Sequence, residues 1–315
     1  MASDRTLSAI AVALVALSVA APFVPSWVVF IGIISLAKGL VVLGLLILWR
    51  TGLVSFGQSL YYALGAYAVG LAYRHYGLTD AFVAVALAAA LAGLVAFVLG
   101  FLLAGYRDLF FAMLSLAFAM ILYGVLVKSE TLGSTDGFAI PVPTFAGLKL
   151  GNAGGESGQV ALFVFTAICT FAACFATHRY LASTAGHLTT AIRDNEIRVE
   201  YLGYSVKRAI HTKYVIAAVF AGIGGALVAM SVGHIDPEMA YWTTAGEFVF
   251  VAILSGPASV AAPFVGSILF ELTRSYAMQY TPHTWHMVLG AALLIVIMFL
   301  PNGLWSLFRK SARAS

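Results

Sequence analysis

Apolar residues in this chain gather into long runs, and polar residues are confined to the gaps between them. Ten runs stand out, at about 6–24, 27–49, 55–74, 80–104, 108–128, 160–177, 211–232, 243–256, 259–276 and 285–304. Most hold about 18 or more residues with few charges, the length a helix needs to cross ~30 Å of hydrocarbon. The backbone has no water to bond with in lipid, so such runs predict helices. The eighth and ninth runs are short. "SGPASVAAP" lies between them, and Gly256 followed by Pro257 should break a helix there. The pair near 243–276 reads either as two tight spans or as a re-entrant, broken pair buried in protein. The expected fold class is all-α: a polytopic membrane protein with about 10 transmembrane segments, forming one domain over residues 1–315.

Two gaps are long. The first, about 129–159, is rich in Gly, Pro, Ser and Thr and carries little basic charge. The second, about 178–210, is the most charged stretch of the chain. Within it Leu188, Ala191, Ile192, Val199 and Leu202 fall at helical spacing on one side, with Arg193, Glu196 and Glu200 elsewhere on the wheel. This pattern predicts a short amphipathic helix. Gly203 is placed to end it. Its apolar face has two uses open to it: rest on headgroups or its own bundle, or dock a cytoplasmic partner.

Composition excludes a soluble domain. Charged residues make up 10% of the chain and hydrophobic residues 62%, against about 25% charged in an ordinary soluble domain. The basic residues also set an orientation. With a cytoplasmic N-terminus and ten spans, the inner side receives Arg5, Arg50, Arg107, Arg179, Arg193, Arg198, Lys207, Arg208, Lys213, Arg309, Lys310 and Arg313. The outer side receives only Arg74, Lys128, Lys149 and Arg274, and Lys38 falls within a span. This is the asymmetry the positive-inside rule requires. It places both termini and the 178–210 gap inside and the 129–159 gap outside. The start resembles a secretory leader, but its apolar run from Leu7 to Val24 is long for one and is read as a retained helix.

Candidate chemistry is sparse. Phosphate-loop, "HExxH" and "GxSxG" patterns do not occur, and Cys169 and Cys174 sit in one apolar run as small core residues. Charges at membrane depth are functional suspects. Glu271 and Arg274 are spaced to pair on one helix face, while Lys38 and Glu247 are read as snorkelling toward interfaces. The glycines of "AGIGGALVAM" and of the run near Gly57, Gly65 and Gly70 read as close helix contacts.

Several stretches resemble one family, the LivM-type permease subunits of bacterial ABC importers for branched-chain amino acids. They are "TGLVSFGQSLYYALGAYAVGL", "DLFFAMLSLAFAMIL", "GSTDGFAIPVP", "TTAIRDNEIRVEYLGYSVKRAIHTKYVIAAVFAGIGGAL" and "FLPNGLW", in family order. The chain departs from the family pattern at Lys38, Leu45, Trp49, Arg50, Met120, Tyr123, Pro257 and Ala258. The resemblance implies a translocation subunit of the bacterial inner membrane. It would work with a homologous permease, two cytoplasmic ATPase subunits and a periplasmic solute-binding protein, and without nucleic acid. The chain itself would hold no cofactor, because ATP and Mg would bind to the partner subunits. It implies ATPase docking by Ala191, Ile192, Arg193, Asp194, Asn195, Glu196, Arg198, Glu200 and Gly203. Ser55, Gln58, Ser115 and Glu247 are the polar side chains expected along the solute path. Two other readings stand beside this one. An ion-driven transporter or channel would act alone and rely on Lys38, Glu247 and Glu271; a membrane enzyme would need a clustered nucleophile or acid pair.

Overall fold

A computed structural model describes residues 4–148, 156–280, 282, 284–299 and 303–306. Twelve α-helices lie within these residues. Ten fall on the ten apolar runs: α1 (Asp4–Ala20), α2 (Ser26–Trp49), α3 (Gln58–Tyr76), α4 (Ala81–Leu103), α5 (Asp108–Lys128), α6 (Glu156–Ala182), α9 (Val206–Val232), α10 (Trp242–Ser255), α11 (Ala262–Tyr280) and α12 (Trp285–Phe299). The remaining two, α7 (Thr184–Asp194) and α8 (Glu196–Tyr201), occupy the charged gap. Six helical segments are long and apolar enough to cross a membrane: those at α1, α2, α4, α5, α6 and α9.

The bundle is built around α2 and α9. Every residue of α2 from Ser35 to Leu48 is buried, as expected of a helix that is apolar all round. Helix α9 packs along α2, α3 and α4 at once. Its glycines make this possible by facing three different helices. A Cβ on Gly222 would strike Ala92 of α4, one on Gly224 the Ala37 carbonyl of α2, and one on Gly225 the Tyr62 carbonyl of α3. Helix α4 answers with a small-residue stripe, Ala84, Ala88, Ala92, Ala96 and Gly100, all buried. Close backbone approach of this kind is what holds helices together where lipid removes the hydrophobic driving force.

The helix ends differ from the runs for readable reasons. Helices α6 and α9 run past the apolar limits through His178, Arg179, Lys207 and Arg208, so the charged connection shrinks to 183–205. Helix α3 starts later than its run. Residues 50–57 are non-helical and alternate in burial, with Thr51, Leu53, Ser55 and Gly57 inside. Helix α10 ends at Gly256, whose φ of 77° and ψ of 159° suit glycine alone. Arg50 Nε donates to the Pro257 carbonyl at 2.8 Å, and Leu304 N donates to the Leu254 carbonyl, so the break is held from two sides.

At the opposite end, part of the long connection after α5 is ordered on the bundle. Strands β1 (Phe138–Ala139) and β2 (His234–Ile235) pair antiparallel, with Phe138 opposite Ile235. Ala81 N donates to the Thr144 carbonyl, which anchors the same connection at the start of α4. Residues 149–155 of that connection, including Lys149, lie outside the described residues, as do Arg309, Lys310 and Arg313.

Candidate functional site

Ser55, Gly57 and Ser115 converge at the buried start of α3. Phe56 N donates to Ser115 Oγ at 3.1 Å, Ser115 Oγ donates to the Ala112 carbonyl, and Gly57 N donates to Ser55 Oγ. Gly57 is wedged against Ser115, 3.1 Å from where its Cβ would sit. Gln58 follows, 1% exposed, and neither its Nε2 nor its Oε1 has a hydrogen-bond partner among the described residues. A buried amide without partners is costly in a packed core. Irregular backbone at membrane depth persists where it is buried or lines a cavity.

Glu247 belongs to a different group. Lys38 Nζ donates to Glu271 Oε1 at 2.7 Å and to Glu247 Oε2 at 3.2 Å. Arg274 Nη1 donates to Glu247 Oε2 at 3.0 Å, and its guanidinium lies 5.3 Å from the Trp285 ring centroid. The expected Glu271–Arg274 pair is therefore not made. The spacing suggested it, but Lys38 from α2 takes Glu271 instead. Lys38 and Glu247 do not snorkel either; they neutralise one another across helices. Lys38 is twelve residues into α2, about 18 Å from its first residue at 1.5 Å per residue. The four side chains edge a cavity of about 370 Å³ that also meets Tyr62, Asp236, Glu238 and Thr244. Tyr62 is one helical turn from Gln58 on α3. The cavity and the Ser55–Gln58–Ser115 cluster thus lie in sequence along one helix.

The charged connection forms two helices where the sequence predicts one. Asn195, at φ −164°, ends α7 and caps α8 by accepting from Arg198 N at 2.9 Å. The α8 terminus closes as a Schellman turn: Gly203 N bonds the Glu200 carbonyl, Tyr204 N bonds the Val199 carbonyl, and Gly203 has φ 85°. The inward face survives the break. Ile192 and Val199 are buried, Ala191 and Leu188 half-buried, as the wheel predicts. Leu202, placed by the wheel with them, is 71% exposed. Leu202 is the C-cap of α8, where the chain turns away at Gly203, so it no longer lies on the face that buries Val199. Ile197 and Tyr201, 66% and 86% exposed, lie opposite Ile192 and Val199 on the wheel and join Leu202 in an apolar patch. Asn195, an N-cap residue in mid-pattern, is the signal that would have found the second helix. Arg193, Asp194, Arg198, Glu200 and Gly203 are exposed around the patch. Glu196 is engaged within the chain, accepting from Arg107 Nε at 2.6 Å. Gly52, with φ 88°, lies against the Arg193 side chain and ties the α2–α3 connection to α7.

A bundle of membrane helices, with polar groups at depth and a structured connection presenting an apolar patch, defines a transport protein of the permease class. The family model for the branched-chain amino acid transport system permease component matches residues 26–298, and the chain belongs to that family. It is a transport subunit and not an enzyme. Among curated proteins it is similar to the high-affinity branched-chain amino acid transport system permease protein LivM of Escherichia coli K12, 27% identical over 96% of this chain and 76% of that protein. LivM of Salmonella typhimurium LT2 is 26% identical over 96% of this chain and 75% of its own length. The permease protein LivH of Escherichia coli K12 is 26% identical over 139 residues, 44% of this chain and 45% of LivH. No solved structure matches the chain significantly.

Proposed function

We propose that this chain is one of two homologous permease subunits of an ATP-binding-cassette importer, and that it carries branched-chain amino acids or a similar small polar solute. The observation that carries this reading is the agreement of the family match with the exposed α7–α8 patch. An importer of this class needs a docking surface for an ATPase, and an ion-driven transporter does not. In this reading the ten apolar helices span the bacterial inner membrane with both termini inside, α10 and α11 forming a pair broken at Gly256. The Arg-rich α7–α8 end faces the cytoplasm, and the β1–β2 end faces out. Two ATPase subunits bind ATP and Mg, and a periplasmic binding protein delivers solute. Closure of the ATPases moves α7–α8, and the bundle exchanges outward-open and inward-open states. The relatives bearing the names LivM and LivH support a paired, non-identical arrangement.

The solute path runs from the Glu247 cavity past Tyr62 and Gln58 to Ser55 and Ser115. The unpartnered Gln58 amide supports this route, because a passing polar solute would meet both a donor and an acceptor there.

The test is a pull-down of the tagged chain from its native membrane, beside an Arg193→Glu/Glu200→Arg double variant. Both residues are exposed, and retention of the partner permease checks that the bundle still forms. The parent should bring down a homologous permease and ATPase subunits, and the variant should lose the ATPases while keeping the permease. A parent that purifies without any ATPase contradicts the reading.

A further inference from the structure

We infer that the cavity beside Lys38 is a binding site for an α-amino acid with an aliphatic side chain. This rests on the importer reading and gives it a location and a chemical selectivity. The volume of about 370 Å³ suits a small solute. Three features match the three parts of such a molecule.

The first is a free cationic fork. Arg274 spends Nη1 on Glu247, and its other N–H groups have no hydrogen-bond partner among the described residues. An arginine fork is built to take a carboxylate through two donors. Lys38 cannot serve, since it is already held between Glu247 and Glu271. The second is a pair of uncommitted acids. Asp236, half-buried, and Glu238, exposed, line the cavity mouth and make no ion pair among the described residues. With Glu247 and Glu271 they give four acids against the two bases Lys38 and Arg274. That excess favours a solute bearing an ammonium group and disfavours a simple carboxylic acid. The third is the wall. Ile31, Ile34, Val228 and Met239 supply apolar surface for an aliphatic side chain. Between charge and wall sits Tyr62, 3% exposed, whose hydroxyl makes no hydrogen bond among the described residues. A hydroxyl on a cavity wall can donate to or accept from a solute.

The site also couples to the bundle. A carboxylate that engages Arg274 competes with Glu247, and so loosens the direct ion pair between α10 and α11.

The experiment uses the assembled transporter in right-side-out membrane vesicles without binding protein, so that leucine reaches the permease unaided. Cys169 and Cys174 are replaced by alanine and Met278, on the cavity edge, by cysteine; Val232→Cys serves as a second reporter. A membrane-impermeant maleimide reads access. Leucine should slow labelling severalfold in a saturable way at either position. Isoamylamine, which lacks the carboxylate, and 4-methylvalerate, which lacks the ammonium, should protect far less. Arg274→Gln, compared with and without leucine against its own rate of labelling, should lose the leucine effect. Labelling indifferent to leucine at both positions, or protection that survives Arg274→Gln, overturns the site. The same vesicles, loaded with ATP and given binding protein, report uptake. Uptake without leucine protection removes the site and leaves the importer reading standing; absent uptake removes the importer reading itself.

Discussion

Lys38 holds two carboxylates from two other helices, and its removal is the most costly single change the cluster offers. Lys38→Met leaves Glu271 with no partner among the described residues, while Glu247 keeps Arg274. An uncompensated buried charge costs roughly 3–5 kcal/mol, whereas removing a whole pair is often close to neutral. Lys38→Met should therefore lower the melting temperature of the purified complex sharply, and Lys38→Met/Glu271→Met should recover most of the loss. Equal loss in both variants contradicts the pairing. The sequence marked all four as charges at membrane depth, but not how they pair. Lys38 is 209 residues from Glu247 and 233 from Glu271, and no local pattern joins them. The spacing of Glu271 and Arg274 offered a nearer partner, and the fold declined it. Of the four path residues the sequence offered, Ser55, Gln58 and Ser115 gather at the α3 start, and Glu247 lies with Lys38 and Arg274.

At the scale of elements, α9 decides the packing because three of its glycines touch three helices. Adding a methyl group at Gly225 would drive it into the Tyr62 carbonyl, where nothing flexible can yield. Overpacking of this kind costs about 1–3 kcal/mol, occasionally more. Gly225→Ala should reduce the folded yield measured by size-exclusion chromatography in detergent. Gly124→Ala in α5, with open space around it, should not; intrinsic helix propensity even favours it by up to about 1 kcal/mol. The helices themselves were plain in the sequence, since the membrane as solvent imposes both length and apolarity. The ends were not. Burial of residues 50–57 depends on Ser115 from a distant helix, and the α7–α8 break depends on one extended residue. Val199 keeps the phase of α7 across the break, while Leu202 is turned outward as the C-cap of α8.

For the whole molecule, the two ends of the bundle carry different equipment. One end presents the α7–α8 patch, ringed by Arg193, Arg198 and Glu200 and anchored to the α4–α5 turn through Arg107 and Glu196. The other presents the β1–β2 cover and the cavity edged by Asp236 and Glu238. Between them run α2, α3 and α9, the most tightly packed helices of the chain. This division fits a machine that takes solute at one end and force at the other. Breaking the Arg107–Glu196 link, by Arg107→Ala, should leave the ATPases bound but weaken transmission, so uptake falls more than ATPase co-purification does. Uptake and co-purification falling together would instead place Glu196 in the docking contact itself.

The central claim is that solute moves only when partner ATPases drive this chain. The most direct measurement is leucine uptake into proteoliposomes holding the chain, its homologous permease and the ATPase subunits, with the binding protein added outside and ATP sealed within. The account predicts uptake that requires every component and stops when ATP is replaced by a non-hydrolysable analogue. Uptake by this chain alone, driven by an ion gradient, would contradict it.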